Sequence, residues 1–198
     1  MVWLYVGLFI ASFMLRVLGL PSWTQILLFA LFSVGIFYKL LYPLFFSRNA
    51  SVIMEYLKKS RNPHYQFVYH FFAGNLDQAE KKIQKVKSKQ LKIMDQVLLS
   101  TKKMEYSEAK SFLSDLKESD YKWYYRAVIA AAEGDEEEYE TNKSKLKDST
   151  FLSFLQIEEM FKSGKEKEAL ALVEHEVKRL RGVKLLTVTH YQEELLAR

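Results

Sequence analysis

The chain has no cysteine. That excludes disulfides and thiolate chemistry and agrees with a cytoplasmic location. Acidic side chains are missing from residues 1 to 46, where the only charges are Arg16 and Lys39. No stretch alternates with period two for long enough to build a sheet. No glycine-rich phosphate loop and no paired Gly-x-Gly motif is present, so nothing cradles a nucleotide. The histidines His64, His70, His175 and His190 never approach a metal-ligand spacing beyond the lone His190–Glu193 match. Ser114-x-x-Lys117 and Ser144-x-x-Lys147 fit a Ser–Lys nucleophile pattern, but both fall on polar helix surfaces without a supporting constellation. The expectation is a protein that is not an enzyme and takes no cofactor or metal.

The acid-free N-terminal region is strongly apolar. Val2 to Leu20 and Trp23 to Phe46 each approach or exceed the roughly 20 residues that cross a bilayer's hydrocarbon core. Only Pro21-Ser22 separates them, with Ser22 placed as N-cap and Gln25 three residues on as a capping-box partner. So short a connection makes the helices antiparallel and predicts a transmembrane hairpin over residues 1–46. A cleaved signal peptide would need a basic segment before the apolar run and a small-residue site after it, and neither is present. Arg48, Lys58, Lys59 and Arg61 follow the hairpin and mark the membrane-facing surface of the next segment. Basic residues flanking a span stay on the cytoplasmic side, so both termini are expected in the cytoplasm of an integral cell-membrane protein. Trp3, Tyr38 and Tyr42 then sit at the inner interface and Trp23 at the outer one. Arg16 and Lys39 lie near predicted helix ends and at different depths, which suits snorkelling to the headgroups rather than an ion pathway.

Behind the hairpin the charge is split. Residues 48 to 103 hold 12 Lys/Arg against 4 Asp/Glu, and residues 104 to 198 hold 15 against 20. The basic half is the tethered half, so its lysines either rest against anionic lipid headgroups or form the solvated face of a helix. No nucleic-acid partner is expected, because neither a recognisable module nor a strongly basic domain is present.

A repeat runs through this region. Ala79, Ala109 and Ala169 stand in register at a period of 30 residues, with Tyr139 in the remaining slot. Gly74, Met104, Gly134 and Gly164 form a parallel ladder upstream, and Ile83, Leu113, Lys143 and Val173 another downstream. Val86, Leu116, Leu146 and Glu176 complete the set. Such a period marks stacked helical hairpins, none able to bury its apolar face alone. Each unit opens with an aromatic-rich helix, breaks at a small polar turn and resumes with a polar or acidic cap. Pro63 suits the first turn of the opening helix, and Gly182 suits the end of the last repeat helix. Asn49 to Lys59 reads as a capped juxtamembrane helix, because stepping back one period from Ile83 and Val86 lands on Ile53 and Tyr56. Val183 to Arg198 reads as a terminal capping helix. The fold expected is all-α, with a transmembrane hairpin (1–46), a juxtamembrane helix (47–62) and an array of about four hairpins with its cap (63–198).

Around the inter-helix turns, Gly74-Asn75-Leu76-Asp77-Gln78-Ala79 and Gly164-Lys165-Glu166-Lys167-Glu168-Ala169 resemble tetratricopeptide repeats. The resemblance covers residues of about 60 to 181, at a period of 30 rather than the family's 34. It implies a protein-interaction scaffold whose concave face is lined by the first helix of each unit.

In this register His64, Met94, Tyr124 and Phe154 form one column on successive first helices, with Tyr121 and Phe151 three residues upstream in the last two. Either these side chains line a groove for a protein partner, or they pack between units as core. The functional expectation is a membrane-anchored adaptor presenting a cytoplasmic array to a protein partner, with membrane lipids as its other contact. The alternative is a regulator or assembly factor of a membrane protein complex acting through its hairpin.

Overall fold

The computed structural model describes Gly7, Phe13, Met14, residues 17–19 and residues 21–196, without the side chains of Lys39, Leu40 and Glu194. The first predicted span, Val2 to Leu20, therefore lies almost wholly outside the described residues. The described residues are α-helices joined by short turns, with no strand among them. In chain order they are α1 (Ser22–Phe45), α2 (Ala50–Lys59), α3 (Pro63–Phe72), α4 (Leu76–Ile83), α5 (Lys89–Lys102) and α6 (Tyr106–Ser114), followed by α7 (Asp120–Glu133), α8 (Glu136–Lys143), α9 (Ser149–Lys162), α10 (Glu166–Arg179) and α11 (Gly182–Leu196).

Helices α3–α4, α5–α6, α7–α8 and α9–α10 pair into four consecutive hairpins, and each first helix packs on the next first helix. The turns within the hairpins repeat one geometry. Gly74, Gly134 and Gly164 have φ of 74°, 79° and 73°, and Met104 adopts the same left-handed conformation at 61°. The helix starts follow from local chemistry. Asn62, Ser88, Ser119 and Asp148 each accept a backbone N–H at the N-terminus of a first helix. Pro63 takes the first helical position of α3, where its missing N–H costs nothing. Asn49 caps α2 by accepting from the amides of Ser51 and Val52.

The core follows the ladder. Ala79, Ala109, Ala169, Leu113 and Val173 are fully buried, and so is Ile53 of α2, the half-unit that precedes the first hairpin. Two local expectations give way. Ser22 does not cap α1, which starts from Pro21 without a side-chain cap; Thr24 instead returns its hydroxyl to the Pro21 carbonyl at 2.7 Å. Nor does Gly182 end the last repeat helix, which stops at Arg179 with Leu180 as its C-cap, because Gly182 is the first residue of α11.

Among the described residues no helix is long and apolar enough to cross a membrane. The charge-free part of α1 runs from Ser22 to Tyr38. At 1.5 Å per residue it rises only about 25 Å against a hydrocarbon core of about 30 Å. Yet α1 projects Trp23, Ile26, Phe29, Leu31, Val34 and Phe37 outward, all exposed. Tyr38, Tyr42 and Phe46 cluster along its C-terminal end, with ring centroids 5.3 and 6.3 Å apart between neighbours, the first pair tilted and the second stacked.

The array does not end open. Helix α11 packs against α10 and returns to α1 and α2 at the start of the chain. Its Tyr191 ring lies 5.9 Å from Phe154 of α9, and its His190 ring 5.4 Å from Phe72 of α3. One helix thus spans from the last hairpin to the first.

Candidate functional site

The column expected to recognise a partner sits on the first helices as its register requires, and every member is engaged within the chain. His64 points its Nδ1 at Asp95 of α5, 2.9 and 3.0 Å from the two carboxylate oxygens. Asp95 is 2% exposed, and burial raises its carboxyl above the ordinary value while the hydrogen bond from His64 opposes that rise. Met94 packs into the cluster around Val97 and Ala109, and its carbonyl accepts the Tyr121 hydroxyl at 2.6 Å. Tyr124 stacks on Phe151 with centroids 4.6 Å apart and meets Phe154 edge-on. Phe154 is 6% exposed. Burial drives the Tyr121, Tyr124 and Tyr125 phenols up, so these rings are neutral packing elements with one polar end each. The column cements neighbouring units, and Tyr191 of α11 closes over its last member.

An open groove of about 840 Å³ lies elsewhere, between α2, α3 and α11. Met54, Phe72 and Leu186 supply apolar surface, and Lys58, His190 and Glu193 add polar groups. Burial pushes the His190 imidazole below its ordinary value, and Lys102 acts in the same direction. Read from the sequence alone, α11 is only a capping helix, and the register of the repeats points away from this groove. The apolar stripe Leu185, Leu186, Val188, Tyr191, Leu195 was visible, but nothing local says that it reaches α2 and α3. Of the residues expected at the membrane surface, Arg48, Lys58, Lys59 and Arg61 are all exposed. Lys58 and Lys59 line the groove, and Lys59 pairs with Glu55 at 2.6 Å.

The Ser–Lys spacings do not become dyads in the structure: Ser114 and Ser144 give their hydroxyls to the Ser111 and Thr141 carbonyls at 2.6 and 2.9 Å. Among the described residues no group of three His, Asp or Glu side chains is placed to hold a metal ion. A separate cationic spot surrounds Trp123, with Lys145 Nζ 4.4 Å and Arg126 Cζ 5.6 Å from its ring centroid. Comparison of the chain with protein-family models, with curated proteins and with solved structures finds no match in any of the three.

Proposed function

We propose that this chain is a membrane-anchored protein-interaction scaffold: a two-helix hairpin over residues 1–46 enters the bilayer, both termini face the cytoplasm, and a tetratricopeptide-like array is presented to a protein partner. The observation that carries the reading is α1. A soluble monomer rarely exposes a large contiguous apolar patch, and the outward face of α1 is apolar from Trp23 to Phe37. The aromatic cluster of Tyr38, Tyr42 and Phe46 then occupies the interfacial layer that suits amphipathic rings. Exposed Arg48 beside the end of α1 supports the cytoplasmic side by the positive-inside rule.

One observation favours the second reading, a regulator or assembly factor acting through its hairpin. The half-buried aromatic column of the array engages its own neighbours, so α1 and the groove between α2, α3 and α11 offer further surfaces to a partner. Cysteine labelling tests the shared anchor cleanly because the chain has no native thiol. Ser22→Cys should react with an impermeant reagent from outside the cell, and Glu137→Cys should react only after lysis. The opposite pattern overturns the orientation, and release of the protein by alkaline carbonate overturns the anchor. Crosslinking the full-length protein in its native membrane then separates the readings, according to whether partner crosslinks map to the array or to α1.

A further inference from the structure

The end of α1 does not lead into a linker. Leu44 is 4% exposed and belongs to one apolar cluster with Ile53 and Leu57 of α2, Phe67 and Phe71 of α3 and Leu186 of α11. Ser47 is equally buried, and its hydroxyl accepts the Asn49 amide at 3.2 Å, so the turn into α2 is held from both sides of Arg48. The Ser47 carbonyl accepts the amide of Gly182, the first residue of α11, at 2.8 Å. These two residues are at opposite ends of the folded chain.

Gly182 is the residue that permits the contact. Its φ is +58°, and a Cβ there would lie 1.9 Å from the Leu44 carbonyl oxygen and 2.8 Å from the Phe45 Cα. Both obstacles are backbone, which cannot swing aside as a side chain would. Any other residue at 182 must therefore push α11 and the end of α1 apart.

We infer that α1 and the helical array form a single rigid body, locked where the Gly182 backbone meets Leu44 and Ser47. A flexible tether would let the array sample many angles about α1. Here the connection is buried, hydrogen-bonded and clamped between α2 and α11, which fixes one angle. The consequence for recognition rests on the anchor proposed above: an array mounted this way meets its partner at a set height and tilt over the bilayer.

The lock is testable in detergent micelles, so its outcome is independent of membrane insertion. Spin labels at Ser33→Cys on α1 and Glu137→Cys on α8 report the angle as a distance distribution. The expected result is a narrow distribution that broadens in Gly182→Ala with helical content retained. If Gly182→Ala unfolds, Leu44→Ala, which removes the side chain that packs the end of α1 among α2, α3 and α11, is read in its place. A broad distribution in the parent protein, or a narrow one in a folded lock variant, overturns the inference. Hydrogen exchange on the unmodified chain gives a variant-free reading. The Gly182 amide should be protected like a helix interior, and fast exchange there sinks the lock.

Discussion

Three of the four hairpins close around an alanine, and the third closes around Tyr139. Opposite Ala79, Ala109 and Ala169, the first helices place Phe67, Val97 and Ile157 in the same clusters, all fully buried. Opposite Tyr139 the equivalent position holds Ala127, with Ala130 beside it, again fully buried. The large and small partners have changed sides of the interface. What the repeat preserves is therefore one larger and one small partner at each interface, because a close-packed interior tolerates neither two small side chains facing each other nor two large ones. A ladder read at one position shows Tyr139 as a defect, whereas read across the pair it is a compensated exchange.

The sharpest way to break this comparison is Tyr139→Ala. It leaves two small side chains facing each other and should cost about 3 kcal/mol or more, as large-to-small changes of buried aromatics do. Adding Ala127→Ile in the same chain rebuilds the pairing of the fourth unit and should recover part of the loss, although Ala127→Ile alone destabilises. Thermal melts of the two single variants and the double variant form the cycle. Additive losses would show that the two sites do not share a space.

Next in size is the reverse error in a unit that follows the ladder. Ala109 has no exposed surface and faces Val97, so Ala109→Leu overpacks the second hairpin. The expected cost is about 1–3 kcal/mol, and the measurement is the denaturant midpoint at constant slope. An unchanged midpoint would mean that the two helices of this unit can separate without loss.

Much of this architecture was legible because it is local or periodic. The turns, the buried alanines and the Asn49 and Pro63 helix starts each follow from a few neighbouring residues and a fixed step. The register even places Met104 in a glycine's conformation without a glycine to announce it. What could not be read are contacts between residues far apart in the chain and outside the repeat. Nothing in the sequence joins Gly182 to Ser47, so Gly182 reads as the stop signal that glycine usually is at a helix end. The aromatic column was legible as a column, but its contacts across units, such as the Tyr121 hydroxyl on the Met94 carbonyl 27 residues away, were not.

The turn of the second hairpin offers a smaller effect of opposite sign. Met104 is 74% exposed, so its side chain gains almost nothing there, while its backbone is held at φ 61°. A left-handed conformation costs an L-residue about 1–2 kcal/mol. Glycine relieves that strain but adds about 0.5–1 kcal/mol of unfolded-state entropy. Met104→Gly should therefore stabilise the chain by about 0.5–1 kcal/mol net, and Gly134→Ala in the third hairpin should destabilise it by a similar amount. A drop in melting temperature for Met104→Gly would reveal a contact of the methionine that outweighs its strain.

The smallest effect is electrostatic and returns to the third hairpin. Tyr139, being a phenol where its counterparts are methyl groups, reaches α9 and donates its hydroxyl to Glu159, which also pairs with Lys143. Burial pushes the Glu159 carboxyl up, but the hydrogen bonds from Lys143 and Tyr139 outweigh it and hold the group below its ordinary 4.5. A depressed carboxylate binds its proton less readily folded than unfolded. Its stabilisation is therefore complete above the unfolded value and drains away as pH falls through the folded one. Glu159 is 39% exposed, so solvent screening keeps the contribution under about 1 kcal/mol. The melting temperature of the parent protein should exceed that of Glu159→Gln at pH 7, and the gap should close as the pH drops below the carboxylate range. In a Tyr139→Phe background the gap should be smaller at every pH, because one of the two donors that depress the carboxyl is gone. A gap that stays constant down to pH 3 would mean that Glu159 acts through its shape and not its charge, and the exchange in the third hairpin would then be a matter of volume alone.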